Sequence, residues 1–134
     1  MNIKEYQINT AMTKAPLTDQ YSDMDAIHMV LGMTTEVGEI VDVYKKNLAY
    51  CKPMDLTNVK EEIGDLMWYI SELCNYHGWQ LEDILQTNID KLRSRFPNKF
   101  NSKDAINRNL ERERQILEDD RRKLDPMPPD ISMF

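Results

Sequence analysis

EVGEI, residues 36–40, and EEIGDL, residues 61–66, share one design: two acidic residues three apart with a glycine between them. Glu36 and Glu39 form the first pair, Glu62 and Asp65 the second, and each pair lies inside an apolar run. Around the first, Val30, Met33, Val37, Ile40, Val41, Tyr44 and Leu48 recur at helical spacing. Around the second, Val59, Ile63, Leu66, Met67, Ile70, Leu73 and Cys74 do the same. The spacing predicts two long amphipathic helices. One starts at Asp23 or Asp25 and runs to about Ala49; the other is capped by Thr57, runs to about His77 and closes on Gly78. A short amphipathic helix over 3–14 ends before Pro16, and another over 81–95 stops before Pro97. A highly charged helix spans 102–124, followed by an irregular tail with three prolines. No segment reads as a strand. The expectation is an all-α bundle of about five helices, with a thin four-helix core that a second chain completes. The helical domain is expected over 1–101, with the charged helix and proline-rich tail over 102–134 appended to it.

Composition narrows the function classes. The 134 residues carry a formal net charge of −6, with 41% hydrophobic residues, enough for one small domain. An acidic chain is poorly suited to coating nucleic acid or an anionic membrane, so neither is expected as a partner. An anionic ligand held through metal ions is still compatible with that charge. Cys51 and Cys74 have no zinc spacing and read as reduced thiols of a cytosolic protein. The N-terminal residues carry no signal-peptide pattern, and no apolar run approaches membrane length. The expected location is the cytoplasm, the host's if a phage encodes the chain.

The acidic pairs sit on stripes beside the apolar arcs. Gly32, Glu36 and Glu39 share one stripe; Asn58, Glu62, Asp65, Tyr69 and Glu72 share the other. Antiparallel packing of the two helices brings both stripes to one side of the seam, so that four carboxylates converge. Like charges partly removed from water are costly unless a cation joins them. Hard oxygen donors without His or Cys suit Mg2+, with Mn2+ as a substitute. Gly38 and Gly64 disfavour a helix by about 1 kcal/mol each relative to alanine, which suggests close helix approach or ligand access beside the acids. The competing reading makes these residues ordinary solvated glutamates. A di-iron bundle is disfavoured because its Glu-x-x-His motifs are missing: the nearest patterns, DAIH (25–28) and CNYH (74–77), lack the glutamate.

These motifs resemble the all-α nucleoside triphosphate pyrophosphohydrolases, the MazG-like group. HMVLGMTTEVGEIVDVYKK (28–46), NVKEEIGDLMWYISELC (58–74) and NIDKLRSRFPNKF (88–100) are each similar to a family block, in the family's order. DAINRNLERERQIL (104–117) is similar to an extension seen in phage and bacterial members. The resemblance implies Mg2+-dependent cleavage of NTPs, dNTPs in particular, between the α and β phosphates, releasing a nucleoside monophosphate and pyrophosphate. It implies Glu36, Glu39, Glu62 and Asp65 as metal ligands, and Glu61 as a base behind them. Thr35 departs from the pattern, standing where many members carry a glutamate.

Asn88, Lys91 and Arg95 share a face at i, i+3 and i+7, and the resemblance makes them substrate contacts, cations that neutralise phosphates beside an amide. Lys46, beside Lys45, stands where the family has a lysine. His28 and Trp68 are candidates for touching base or sugar, against the plainer readings of a surface histidine and a core or interface tryptophan. The oligomer is expected to be a homodimer or homotetramer. Two alternatives stay open: a non-catalytic helical interaction module that keeps the metal site, and a phosphohydrolase that releases the terminal phosphate.

Overall fold

The computed structural model describes residues 1–15 and 23–118. They form six helices: α1 (Ile3–Thr13), α2 (Asp23–Tyr50), α3 (Leu56–His77), α4 (Leu81–Arg95), α5 (Ser102–Ile106) and α6 (Leu110–Glu118). Among the described residues there is no strand, so the fold is all-α, and no helix is long and apolar enough to cross a membrane. The connector at 17–22, the end of the charged helix beyond 118 and the proline-rich tail lie outside the described residues.

The chain divides into two units, Met1–Gly78 and Trp79–Phe134. In the first, α2 lies along α3, and α1 packs on α3. Asp23 meets Tyr76, and Gly32 lies against Tyr69. Nearer the end of α2, Glu36 meets Glu62. Contacts thus step backward along α3 as they step forward along α2, so the two helices are antiparallel. Local signals fix the helix ends. Asn2 and Glu5 form a reciprocal capping box at α1, with hydrogen bonds of 2.8 and 2.9 Å. Asp55, not Thr57, caps α3: its Oδ1 accepts from the backbone N–H of Thr57 and of Asn58 at 3.1 and 3.0 Å. Gly78 closes α3 in the left-handed region, φ 67°, as its position implied.

The buried side of this unit is unusually polar. Its buried apolar side chains are Met29, Val43, Val59 and Cys74, joined by Gln7, Thr10, Asp25, Glu62, Ser71, Glu72 and Asn75. The apolar residues Ile3, Ile8 and Met12 of α1 are exposed, and the helix docks through polar contacts instead. Gln7 Nε2 donates to Asn75 Oδ1 at 2.9 Å, and the Thr10 and Ser71 hydroxyls meet at 2.7 Å. Asp25 does not cap α2. It lies within the first turn, buried, with Lys14 Nζ 3.4 Å away.

The apolar stripe that signals α2 is not a core within one chain. Val30, Val37, Val41, Tyr44 and Leu48 are all exposed, while α2 buries Asp25, Met29, Gly32 and Val43. Among the described residues α3 is the helix packed along the length of α2, and much of the apolar arc of α2 is exposed.

In the second unit α6 packs on α4. The segment expected as one charged helix is broken between α5 and α6 at Asn107–Asn109. Asn101 caps α5 through the Asp104 N–H at 2.8 Å, and Asn109 accepts from the Arg112 N–H at 3.0 Å. A side chain that competes for backbone donors restarts the helix rather than continuing it.

Candidate metal centre

Glu36 of α2 and Glu62 and Asp65 of α3 each bring a carboxylate oxygen within 4.8 Å of the others. The environment is graded: Glu62 is 5% exposed, Glu36 half-buried and Asp65 exposed. Among the described residues no Lys, Arg or His lies at ion-pair distance from any of the three. The Glu36 carboxyl is pushed up from its ordinary value by burial, then by the hydrogen bond it shares with Glu62, then by the charge of Glu39. Thr35 Oγ1 contacts Glu36 Oε1 at 3.3 Å and partly offsets this. Glu36 therefore holds a proton more readily than an isolated glutamate, the behaviour of an acid set beside others without a counter-charge. Three hard oxygen donors with no basic partner fit a divalent cation such as Mg2+ or Mn2+.

Helix geometry explains who joins the cluster. On α3, Glu62 and Asp65 are one turn apart and both reach it. On α2, Glu36 reaches it, whereas Glu39 is exposed and outside the three. Glu61 is exposed beside Glu62.

Gly32, one turn before Glu36, sets the spacing of the two helices. A Cβ there would lie 2.2 Å from Tyr69 Cε1, so only glycine lets the ring sit against α2. The close approach is at Gly32, not at Gly38 or Gly64, where an added Cβ meets nothing within 4 Å. Tyr69 is also edge-on to His28, with ring centroids 6.0 Å apart, and to Trp68, at 5.1 Å. Trp68 Nε1 donates to Thr13 Oγ1 at 2.8 Å, tying α1 beside the same rings.

Lys46 and Lys45 both pair with Asp42, at 2.5 and 2.8 Å on the exposed side of α2. Between them they hold the Asp42 carboxyl down to about 2. In the second unit Asn88 is exposed and Lys91 half-buried on α4. Arg95 is engaged by a carboxylate: its Nε and Nη2 donate to Glu113 of α6 at 2.8 and 2.5 Å. Arg108 donates to the same carboxylate at 2.7 Å. The two guanidiniums, Arg95 first, hold Glu113 down to about 2.

Spacing places Asn58 and Glu72 on the acidic stripe of α3 but does not reveal the contacts they make. Asn58, four residues before Glu62, donates its side-chain amide to Glu62 Oε1. Glu72, 1% exposed, accepts from Asn75 at 2.8 Å. Tyr6 of α1, which sequence reading does not connect to the acids, is held protonated above its ordinary value by burial, then by the charges of Asp65 and Glu72.

A family model described as the MazG nucleotide pyrophosphohydrolase domain matches residues 25–100, which include all four motif acids and the α4 block. The Gene 37 protein of Mycobacterium phage L5 is 30% identical over 103 residues, covering 71% of this chain and 89% of that protein. No solved structure matches the chain. A match over more than half of the chain, centred on two helices that bring three acids together, shows that the chain belongs to the MazG nucleotide pyrophosphohydrolase family.

Proposed function

We propose that this chain hydrolyses nucleoside triphosphates, dNTPs in particular, between the α and β phosphates, giving a nucleoside monophosphate and pyrophosphate. The observation that carries the proposal is the Glu36–Glu62–Asp65 cluster inside the family-matched region. These three residues, with Glu39 completing the set, would hold Mg2+, or Mn2+ in its place. Bound there, the ion would neutralise phosphate oxygens and lower the pKa of a bound water. The protein's own part is positional. Burial of Glu62 against α2 and the Gly32–Tyr69 contact hold the carboxylates close together before any ligand arrives. Glu61 is proposed as a base behind the ligands. Asn88 and Lys91 would contact the triphosphate, Lys46 would reach it on release from Asp42, and His28 and Trp68 flank the ring of Tyr69 where a base or sugar could rest. Arg95 would contribute to phosphate binding only when Glu113 lets it go.

The end of the family match at residue 100 supports a catalytic domain over 1–101 with 102–134 appended. The exposed arc of α2 supports a homodimer or homotetramer. Ile27, Val30, Val37, Val41, Tyr44 and Leu48 recur at steps of three, four or seven residues over about six turns, each at least 46% exposed. A stripe of that spacing pairs with its own copy across a two-fold axis. A cytoplasmic location accords with the phage relative and the free thiols Cys51 and Cys74.

The test is product identity. The purified chain is incubated with each of the eight common NTPs and dNTPs, with Mg2+, with Mn2+ and with EDTA. Monophosphate plus pyrophosphate, abolished by EDTA, is the expected result. Diphosphate plus phosphate would move the cleavage point to the terminal phosphate. No turnover together with Mg2+ binding would make the chain a non-catalytic module.

A further inference from the structure

We infer that Asn58 is a positioning residue for Glu62, an inference that rests on the metal-centre reading above. Glu62 is 5% exposed, touches Glu36 and has no basic partner among the described residues. Such a carboxylate needs a donor to fix its orientation, and Asn58 Nδ2 supplies it, donating to Oε1 from one turn earlier on α3. The choice of donor is informative. A lysine or arginine here would neutralise the carboxylate and repel a divalent cation. An amide orients the group and leaves its charge intact. Asn58 is itself anchored, because its backbone N–H donates to the cap residue Asp55 at 3.0 Å. The order Asp55–Asn58–Glu62 therefore fixes one carboxylate from the helix end inward. Oriented carboxylates hold metal ions better than mobile ones, and losing the orienting partner typically weakens binding about 10- to 100-fold.

The test measures Mn2+ affinity of the full chain by electron paramagnetic resonance of the free ion, together with melting temperature in EDTA. Asn58→Ala should weaken Mn2+ binding about 10- to 100-fold while leaving the melting temperature in EDTA unchanged. In a Glu62→Gln background, Asn58→Ala should weaken Mn2+ binding no further, because the group it orients is gone. Binding within twofold of wild type would overturn the inference. So would a weakening matched by a lower melting temperature in EDTA, or one that persists undiminished beside Glu62→Gln, since each marks a merely structural role. Failure of the wild-type chain to bind Mn2+ would overturn the metal-centre reading and this inference with it.

Discussion

Replacing Gly32 by alanine tests whether a single close contact sets the spacing of α2 and α3 beside the acids. The new Cβ would lie 2.2, 2.4 and 2.5 Å from three ring atoms of Tyr69. Carbon atoms settle at about 3.5–4.0 Å, so the ring must retreat by more than about 1 Å. Retreat is not free, because the ring also makes T-shaped contacts with His28 and Trp68 that a shift would disturb. Overpacking of this kind costs about 1–3 kcal/mol. Against it stands the helix preference for alanine over glycine, about 1 kcal/mol. The net expectation is a loss of roughly 0–2 kcal/mol. Gly38 and Gly64 supply the contrast, because their Cβ positions are open. Gly38→Ala and Gly64→Ala should stabilise by about 0.5–1 kcal/mol each. Urea unfolding followed by circular dichroism reads all three on one scale. In a Tyr69→Ala background the wedge is gone, and Gly32→Ala should become stabilising like the other two, giving a coupling of about 1–3 kcal/mol. Because Gly32 is one turn from Glu36 and Tyr69 one turn from Asp65, the single variant should also weaken Mn2+ binding. If Gly32→Ala stabilises the wild-type chain as much as Gly38→Ala does, the ring is not wedged and the spacing argument fails.

The acid cluster should matter for turnover far more than for folding, so Glu62→Gln should lower the hydrolysis rate by well over tenfold, as loss of a contact to developing charge usually does. Glu39→Gln asks whether the exposed fourth acid joins the cation: a loss comparable to that of Glu62→Gln would place it there, and one under about tenfold would restrict the ligands to the observed three. Glu113 has a folded-state pKa of about 2 against an ordinary 4.5, so its pairing stabilises fully above pH 4.5 and that contribution is lost as pH falls toward 2. Glu113→Gln should flatten the fall in melting temperature within that window, and an unchanged slope would mean that the two arginines do not hold this carboxylate in solution. Val41→Asp, on the exposed arc of α2, should convert an oligomer into a smaller species by light scattering; a wild-type chain already monomeric at micromolar concentration would remove the self-pairing argument.

Helical period is a local property, and what depended on it was legible in the sequence. The bounds of α2, α3 and α4 follow from the apolar spacing, from Gly78 and from Pro97, all of which act within a turn or two of themselves. Which face each helix buries is a property of its neighbours. Val37, Val41 and Tyr44 have the spacing of core residues and the exposure of surface ones, because none of the described helices covers them. Likewise Arg95 has the residue type and spacing of a phosphate ligand, yet a glutamate 18 positions later occupies its guanidinium. The helix break at Asn107–Asn109 accompanies that contact, and a pattern read along an uninterrupted helix does not foresee it.

The acidic motifs show how far such reading reaches. Two i, i+3 pairs on antiparallel helices suggest four equivalent carboxylates. The register makes them unequal. With Gly32 against Tyr69, a step of four along α2 reaches Glu36 and a step of four back along α3 reaches Asp65, so these two are level. A further step of three on each brings Glu39 level with Glu62. Glu36 is nevertheless the acid that meets Glu62, since 100° per residue turns position 39 about 60° away from position 36. On α3 the same turn separates Glu62 and Asp65, but Glu36 is close enough to reach both. One helix thus supplies a single central carboxylate and the other a pair that brackets it. Glu39 stays level with the site but in water, close enough for its charge to raise the Glu36 carboxyl. If the proposed cation binds here, a carboxylate in that position would be free to join or leave it without disturbing the packing. Glu62, buried and oriented from α3, would have no such freedom, which is why Glu62→Gln and Glu39→Gln are the two substitutions that would separate a fixed ligand from an optional one.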